Sequence, residues 1–418
     1  MVMKTLDFIY QCIDCGKEIQ SDKIVYLCPD CSKENKPGLP PKGVMKILYN
    51  YDIIREDFKG SDIFYDLKSE NYLDLLPINS IDSLPGLKIG NTPLYEVDQF
   101  EGKPLNAYLY LKDDSRNPTF SLKDRASAVV SAYAKEKGLK KIVAASTGNA
   151  GSSMAGICAA QDQEAIVLVP ETAPKAKLAQ VMMYGATIVP VAGSYDDAFD
   201  LSIKLTEETG IFNRNTAYNP LTIEGKKTVA FEIYDQLSGD LPDHVFIPTG
   251  DGVIISGVYK GFEDLLKLGV IKKMPIMVAV QAAGSNNLIR NINNPEFKIV
   301  KSKTIADSIS VDIPRNFYMA AQYMKKYNGI GISVNDSEIM EASQKLARQT
   351  GIFSEPSSAA AFAGFIKMKK AGKIQEASSN LVLLTGSGLK DIQAVEPIVK
   401  IPKSIACNIK SIKKLLNF

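Results

Sequence analysis

From about residue 105 onward, strand-length apolar runs alternate with segments that have helical periodicity. The apolar runs cover residues 107–111, 142–145, 165–169, 187–191, 244–247, 276–280 and 381–384. Segments with apolar residues at helical spacing lie between them, for example 126–137, 195–209 and 337–350. This alternation predicts an α/β fold in which parallel sheets are covered by helices.

Three turns of small and polar residues follow predicted strands directly. They are Ser146, Thr147, Gly148 and Asn149 after the strand at 142–145, Gly250, Asp251, Gly252 and Val253 after 244–247, and residues 385–388 (TGSG) after 381–384. Ligands of open parallel sheets bind at the carboxyl ends of the strands, where helix N-termini converge. The sequence therefore predicts one ligand site built from these three turns.

One lysine stands apart from the many surface lysines. Lys123 lies in the stretch 117–125 (NPTFSLKDR), after a proline turn and at the start of a predicted helix. An amine that attacks an aldehyde must be partly neutral, and we expect burial beside Arg125 to lower the pKa of Lys123. The flanking proline turn and the two companion turns, 146–149 and 250–253, favour a reactive lysine over an ordinary helix-surface residue.

Together these segments have the parts of a pyridoxal phosphate (PLP) site. Lys123 would bond covalently to the cofactor, the 146–149 turn would bind an amino-acid carboxylate, and the 250–253 turn would hold the cofactor phosphate. The Asn149 amide can reach the phenolic oxygen, and a hydroxyl in the 385–388 turn can bond the pyridine nitrogen. The Asp251 carboxylate would oppose a phosphate unless its side chain points away.

Four of the six cysteines form two pairs near the N-terminus, Cys12 with Cys15 and Cys28 with Cys31. Two such CxxC turns predict a closed tetrahedral site for structural Zn²⁺. The alternative is two disulfides, which a reducing cytoplasm and the short spacing of each pair disfavour. The polar, proline-rich segment 33–42 suggests a linker, so the metal-binding module is predicted to end near residue 36.

The composition excludes several classes of function. His244 is the single histidine, and it opens an apolar run, so we expect it to be structural and exclude a histidine-rich catalytic metal centre. The formal net charge of +2 gives no reason to expect nucleic acid or an anionic membrane as a partner. No apolar run is long enough for a membrane helix, and the first residues lack a signal-peptide pattern, so a cytoplasmic protein is expected. Cys158 and Cys407 are expected to be buried small residues.

Beyond these features, the chain resembles the threonine synthase family, within the fold-type-II group of PLP enzymes. The resemblance rests on residues 90–94 (GNTPL), 117–125, 146–149, 219–220 (NP), 224–228 (EGKKT), 355–360 (EPSSAA) and 385–391 (TGSGLKD), in the order of the family. The cysteine pairs also resemble those on some threonine synthases.

The resemblance implies a role for each matching segment. Lys123 is the cofactor lysine, Asn149 bonds the phenolic oxygen, and Thr385 faces the pyridine nitrogen. Residues from Gly250 to Ile254 bind the cofactor phosphate, and Ser146, Thr147 and neighbouring amides bind the substrate carboxylate.

The implied architecture has a small module and two α/β lobes with PLP between them. Residues 1–36 form the module, residues 37–108 and 216–418 form the large lobe, and residues 109–215 form a small lobe that closes on the substrate. The resemblance also favours a homodimer.

The departures from the family pattern lie on the substrate side. The family usually has Thr after the Ser-x-Gly-Asn turn, Arg before a Glu-Gly-Gln-Lys-Thr stretch and Asn in the Gly-rich loop, where this chain has Ala150, Thr222 and Asp251. Ser387 stands where the family often has His. Losing a cationic group weakens the binding of a phosphate dianion. Arg315 is a candidate to compensate from another loop.

These features predict a PLP-dependent lyase or synthase acting on a small L-amino acid. The best single name is threonine synthase, which converts O-phospho-L-homoserine and water to L-threonine and phosphate. The alternative is the same scaffold with a non-phosphorylated substrate: a β-replacing synthase, an ammonia-lyase on a hydroxy- or diamino-acid, or a subunit of a larger PLP enzyme. A catalytically silent PLP-binding or interaction protein is a more remote alternative.

Overall fold

The computed structural model describes residues 8–418. The strands are β1 Phe8–Cys12, β2 Glu18–Ile19, β3 Met45–Tyr49, β4 Leu94–Glu96, β5 Gln99–Phe100, β6 Lys103–Pro104, β7 Tyr108–Asp113, β8 Lys141–Ala145, β9 Glu164–Pro170, β10 Thr187–Val191, β11 Phe212–Asn213, β12 His244–Pro248, β13 Ile276–Ala282, β14 Ile330–Val334 and β15 Ser379–Leu384. The helices are α1 Tyr51–Asp57, α2 Ile63–Ser69, α3 Lys123–Glu136, α4 Asn149–Ala160, α5 Lys175–Met183, α6 Tyr195–Thr209, α7 Leu221–Gln236, α8 Val253–Lys267, α9 Asn287–Asn291, α10 Phe317–Lys326, α11 Asp336–Thr350, α12 Pro356–Lys370, α13 Ile392–Val395 and α14 Ile409–Leu416.

The larger sheet has six strands in the order β14-β13-β12-β15-β7-β4. The strands are parallel except for β4, which pairs antiparallel with β7 at one edge. Successive residues of β12 are buried on opposite faces. Val245 and Ile247 belong to the apolar core that includes α7, α8 and α10, whereas Phe246 belongs to the core formed with α11 and α12. Helices thus cover both faces of this sheet, as the alternating pattern predicts.

The smaller sheet has four parallel strands in the order β10-β9-β8-β11. Helices α3 and α4 pack on one face of this sheet and α6 packs on the other. Accordingly, the successive residues Ile142 and Val143 of β8 belong to different apolar cores. Every predicted strand from 142 onward is present. The predicted lobe boundaries stay a prediction. Strand β7, which contains most of the predicted strand 107–111, pairs with β15 in the six-stranded sheet.

The N-terminal module is a three-stranded antiparallel sheet with the order β2-β1-β3. The last strand, β3, follows the predicted linker and pairs with β1 along its whole length. The segment 33–42 is therefore a closed loop within this sheet, and not a free linker. The Asn35 side chain holds the two ends of this loop together. It accepts a hydrogen bond from the Lys42 amide at 2.7 Å and donates one to the Lys42 carbonyl at 3.2 Å.

Two other expectations concern single residues. His244 is buried, and its Nδ1 lies 3.1 Å from Asn380 Oδ1 on the neighbouring strand. Cys158 is buried in α4, as expected, but the expectation for Cys407 is wrong, because this residue is exposed in the C-terminal segment. Within residues 8–418, no helix is both long and apolar enough to cross a membrane.

Candidate active site

Lys123 is the first residue of α3 and lies beside the segment that follows β15. The amide of Leu122 donates to the Thr385 carbonyl at 2.9 Å, and Ser121 forms a β-bridge with Gly386. Phe120 makes the preceding turn in a left-handed conformation with φ of 69°, which is unusual for a bulky side chain. These contacts fix the lysine against the carboxyl end of the six-stranded sheet.

The pKa of Lys123 is lowered, mainly because burial disfavours the charged amine. Asp251 and Glu355 act in the opposite direction, and Arg214 lowers the pKa further. The predicted direction and the predicted role of burial are therefore confirmed, but the predicted contribution of Arg125 is wrong. Arg125 is neutralised by ion pairs of 2.6 Å each to Asp114 and Glu232 and is not among the causes of the shift.

The 146–149 turn connects β8 to the N-terminus of α4. The Gly148 amide lies 3.3 Å from Ser146 Oγ, while the amides of residues 149–151 find no acceptor within the described residues. The turn needs a glycine at 151, since a Cβ there would lie 2.6 Å from the Ser146 carbonyl oxygen. Thr147, Gly148 and Asn149 line a cavity of ≈ 470 Å³. Free amides at a helix N-terminus can bind a carboxylate there.

The Asn149 side chain points across this cavity to Glu355. Its Nδ2 donates to both carboxylate oxygens of Glu355, at 2.9 and 3.0 Å. Burial raises the pKa of Glu355, and the bonds from Asn149 partly oppose this shift. The stretch 355–360 matches the family in sequence, but this match did not predict that Glu355 lies in the site. Gly386 allows the close approach, because a Cβ there would lie 2.4 Å from Glu355 Oε1.

The Gly-rich turn connects β12 to α8. Gly252 has φ of 90°, and a Cβ on it would lie 3.0 Å from both Ala320 and Leu288, so glycine is required there. The Asp251 side chain accepts from the Val253 amide at 3.0 Å. The amides of Ile254 and Ile255 have no acceptor in residues 8–418. This helix N-terminus offers the donors that a phosphate needs.

Two buried cations at the site were missed by the sequence reasoning. Arg214 follows β11 and is 1% exposed, and Lys226 of α7 is 0% exposed. Burial lowers the pKa of Lys226 well below its ordinary value, and Arg214 and Lys123 lower it further. Lys226 occupies the place of Gln in the Glu-Gly-Gln-Lys-Thr stretch. A residue-by-residue comparison with that motif would therefore have identified Lys226 as an additional cation.

The positions that depart from the family pattern have other contacts. The Thr222 hydroxyl donates to the Asn219 carbonyl at 2.8 Å, within its own helical turn. Arg315 pairs with Asp196 at 2.7 Å and Asp200 at 3.0 Å, and it stacks on Phe199. Arg315 is thus committed to α6 and is not a free cation for the site. Ser387 caps the short helix Gly388–Lys390.

The four cysteines of the N-terminal module converge on one point. The Sγ atoms of Cys12 and Cys31 are 3.8 Å apart, those of Cys15 and Cys28 are 3.9 Å apart, and all four lie within 4.8 Å of one another. A tetrahedron with Zn–S bonds of about 2.3 Å has S···S distances of about 3.8 Å. All four cysteines are free thiols, so the disulfide alternative is wrong.

The residues around Lys123 fit pyridoxal phosphate. Free amides at the start of α8 suit the phosphate, and the lysine amine makes no hydrogen bond or ion pair within residues 8–418. The bond from the Leu122 amide to the Thr385 carbonyl places Thr385 beside the lysine segment. The fold and this site together define a PLP-dependent enzyme with fold-type-II architecture. The family model for "Pyridoxal-phosphate dependent enzyme" matches residues 86–386, and the chain belongs to this family.

Within this family, the chain is similar to threonine synthases along nearly its whole length. It is 35% identical to the threonine synthase of Methanocaldococcus jannaschii, over 98% of this chain and 99% of that protein. It is 37% identical to the threonine synthase of Halalkalibacterium halodurans, over 77% of this chain and 89% of that protein.

Solved structures with the same fold include a maize serine racemase and an O-ureido-L-serine synthase. The first has a TM-score of 0.61 at 22% identity, over 78% of this chain and 93% of that one. The second has a TM-score of 0.62 at 22% identity, over 75% of this chain and 95% of that one. At this identity the likeness concerns the fold alone.

Proposed function

We propose that the protein is a threonine synthase, which converts O-phospho-L-homoserine and water into L-threonine and phosphate. The observation that carries the proposal is a buried lysine of lowered pKa, close enough to Asp251 of the Gly-rich turn, to Glu355 and to Arg214 for all three charges to act on its amine. The similarity to a threonine synthase over 98% of the chain supports the same reaction.

Lys123 has two tasks in this proposal. It holds the cofactor before the substrate arrives, and the freed amine then moves the proton at the substrate Cα. Bound PLP supplies the electron sink that acidifies this proton. The lowered pKa keeps a larger fraction of the amine neutral near pH 7, as proton abstraction requires.

The N-termini of α4 and α8 each bind a different anionic group. The turn of Ser146, Thr147 and Gly148 binds the substrate carboxylate, and residues from Gly250 to Ile254 bind the cofactor phosphate. Asn149 reaches the phenolic oxygen from its position beside Glu355. Thr385 faces the pyridine nitrogen with an uncharged hydroxyl.

The charge of the site favours a phosphorylated substrate over a diamino acid. A cationic substrate would use Asp251, but Lys123, Lys226 and Arg214 all lie near enough to this carboxylate for it to raise their pKa values. A second ammonium would meet three cations there and be repelled.

Other properties belong to the same proposal. Cys12, Cys15, Cys28 and Cys31 hold a structural Zn²⁺, because four thiolates leave no open coordination position. Residues 109–215 form the small lobe that closes on the substrate. The enzyme is a cytoplasmic homodimer that needs neither nucleic acid nor a membrane.

Substrate specificity tests the proposed function. The purified, PLP-loaded protein is offered O-phospho-L-homoserine, L-serine, L-threonine and a 2,3-diamino acid in parallel, with threonine, keto acid and ammonia measured. We expect turnover of O-phospho-L-homoserine to threonine at a rate that exceeds the others by orders of magnitude. Faster release of ammonia from serine, threonine or the diamino acid would replace the proposal with an ammonia-lyase.

A further inference from the structure

The chain lacks the cation that its family places at position 222, yet its site contains two cations of its own. Arg214 donates from Nε to Ser127 Oγ at 3.2 Å and from Nη1 to Thr216 Oγ1 at 2.7 Å. Its Nη2 is buried and has no hydrogen-bond partner. Ser127 lies one turn after Lys123 on α3, so the unused donor is near the reactive amine.

Lys226 approaches the same region from α7. Its Nζ has one acceptor in the described part of the chain, the Thr222 carbonyl of its own helix at 3.3 Å. Its side chain lies against the first turns of α8, because a Cβ on Gly257 would be 2.8 Å from Lys226 Cβ. The Lys226 amine is thus buried close enough to Lys123 and Asp251 for both to act on its pKa, but it has no carboxylate within 4.0 Å in residues 8–418.

The next residue on the same helix shows how this protein treats a structural buried lysine. Lys227 is equally buried, but its Nζ pairs with Glu224 at 2.5 Å and Asp264 at 2.8 Å. Neither Arg214 nor Lys226 has an ion pair within 4.0 Å in residues 8–418. A buried charge without a partner is costly, and such a charge indicates a ligand of opposite sign.

We propose that Arg214 and Lys226 bind a phosphate dianion beside Lys123, and that this dianion is the leaving group of the substrate. The pair replaces the cation expected at position 222. The assignment rests on the proposed function. The cofactor phosphate has the same chemistry, and the experiment below separates the two sources.

The first measurement is calorimetric binding of inorganic phosphate to the PLP-loaded protein. We expect Arg214→Gln and Lys226→Gln each to weaken phosphate binding by about tenfold or more, because each removes a charge-assisted donor. Arg315→Gln is the matched control, since its guanidinium is already paired with Asp196 and Asp200, and it should bind phosphate as the wild type does. Unchanged affinity in both site variants would overturn the proposal.

PLP affinity is measured in the same variants to separate the two phosphates. We expect PLP affinity to change much less than phosphate affinity. A large loss of PLP affinity, with unchanged phosphate binding by the loaded protein, would assign the pair to the cofactor phosphate and overturn the substrate assignment.

Thermal stability gives a readout that a merely structural role would not produce. In phosphate-free buffer, PLP-loaded Lys226→Met should melt at or above the temperature of the PLP-loaded wild type, because it removes an uncompensated buried charge. Added phosphate should raise the melting temperature of the wild type and not that of the variant. A lower melting temperature with an intact phosphate response would contradict the proposal.

Failure of the proposed function would look different. If the wild type bound phosphate through these two residues but formed no threonine from O-phospho-L-homoserine, the anion site would be confirmed and the assigned reaction would be wrong.

Discussion

At the scale of single residues, the chemistry depends on the protonation of one buried amine. Burial lowers the pKa of Lys123, and the charges around it adjust this shift in both directions. The residue itself was predictable from the local sequence, because a proline turn, a lysine and a helix start are contiguous. Arg214 was not predictable in this way, since its position beside Ser127 is created by the packing of β11 against β8.

Replacing Lys123 with alanine should abolish covalent attachment of PLP and all turnover, because the variant lacks the amine that bonds to the cofactor and moves the Cα proton. Attachment is measured by the visible absorbance of the protein after gel filtration. Lys137→Ala, at the exposed C-terminal end of the same helix, is the control and should behave as the wild type. Wild-type turnover by Lys123→Ala would end the assignment of this lysine.

Asp251→Asn should shift the acid limb of the pH profile to lower pH. The Asp251 carboxylate stabilises the charged form of Lys123 and so raises its pKa. Without this charge the pKa falls further, and the amine stays neutral in more acidic solution. The pH dependence of kcat measures the shift, because the Lys123 amine is free only while the substrate is bound to the cofactor. A movement of the acid limb to higher pH would show that Asp251 does not act on Lys123 in this way.

At the scale of elements, the site is built by close crossings of helices and strands. The apolar runs predicted seven of the ten strands in the two larger sheets, because buried parallel strands are continuously hydrophobic. Short strands such as β4 and β11 were missed, since two or three residues carry no period. The crossing of α3 and α7 was also not predictable. It depends on Gly225, where an added Cβ would lie 2.1 Å from the Arg125 carbonyl oxygen.

Gly225→Ala should therefore destabilise the protein by about 1–3 kcal/mol or more, because the backbones of α3 and α7 must separate. These helices carry Lys123 and Lys226, so kcat should fall as well. Chemical denaturation and steady-state kinetics measure both effects. Gly86→Ala is the control, because nothing lies within 4 Å of a Cβ at this position, and the two variants should differ clearly. Equal stability would contradict the close helix crossing.

At the scale of the whole molecule, the cysteine module is joined to the enzyme body. Tyr49 of β3 donates to Glu224 of α7 at 2.6 Å, and Gln322 of α10 donates to the Ile13 carbonyl at 2.9 Å. The four ligands were predictable from their spacing. The attachment was not, because a proline-rich segment before β3 suggested a linker, and pairing between β1 and β3 is non-local in sequence.

Cys12→Ser should lower the bound zinc to well below one equivalent and lower the melting temperature by several degrees, because the module shares its core with α7 and α8. PLP binding should persist, since the cysteines lie outside the Lys123 site. Metal analysis and calorimetry measure the two effects. Cys407→Ser, at an exposed position, is the control and should change neither quantity. Unchanged metal content and melting temperature in Cys12→Ser would refute a structural metal site.

The central claim is that the protein breaks the bond between Cγ and the phosphate oxygen of the substrate and adds water at Cβ. It is tested most directly by turnover of O-phospho-L-homoserine in ¹⁸O-labelled water, with mass analysis of both products. The proposed reaction predicts equal amounts of threonine and phosphate, with one ¹⁸O atom in the threonine hydroxyl group and none in the phosphate. Label in the phosphate, together with homoserine as the second product, would show hydrolysis at phosphorus and contradict the account.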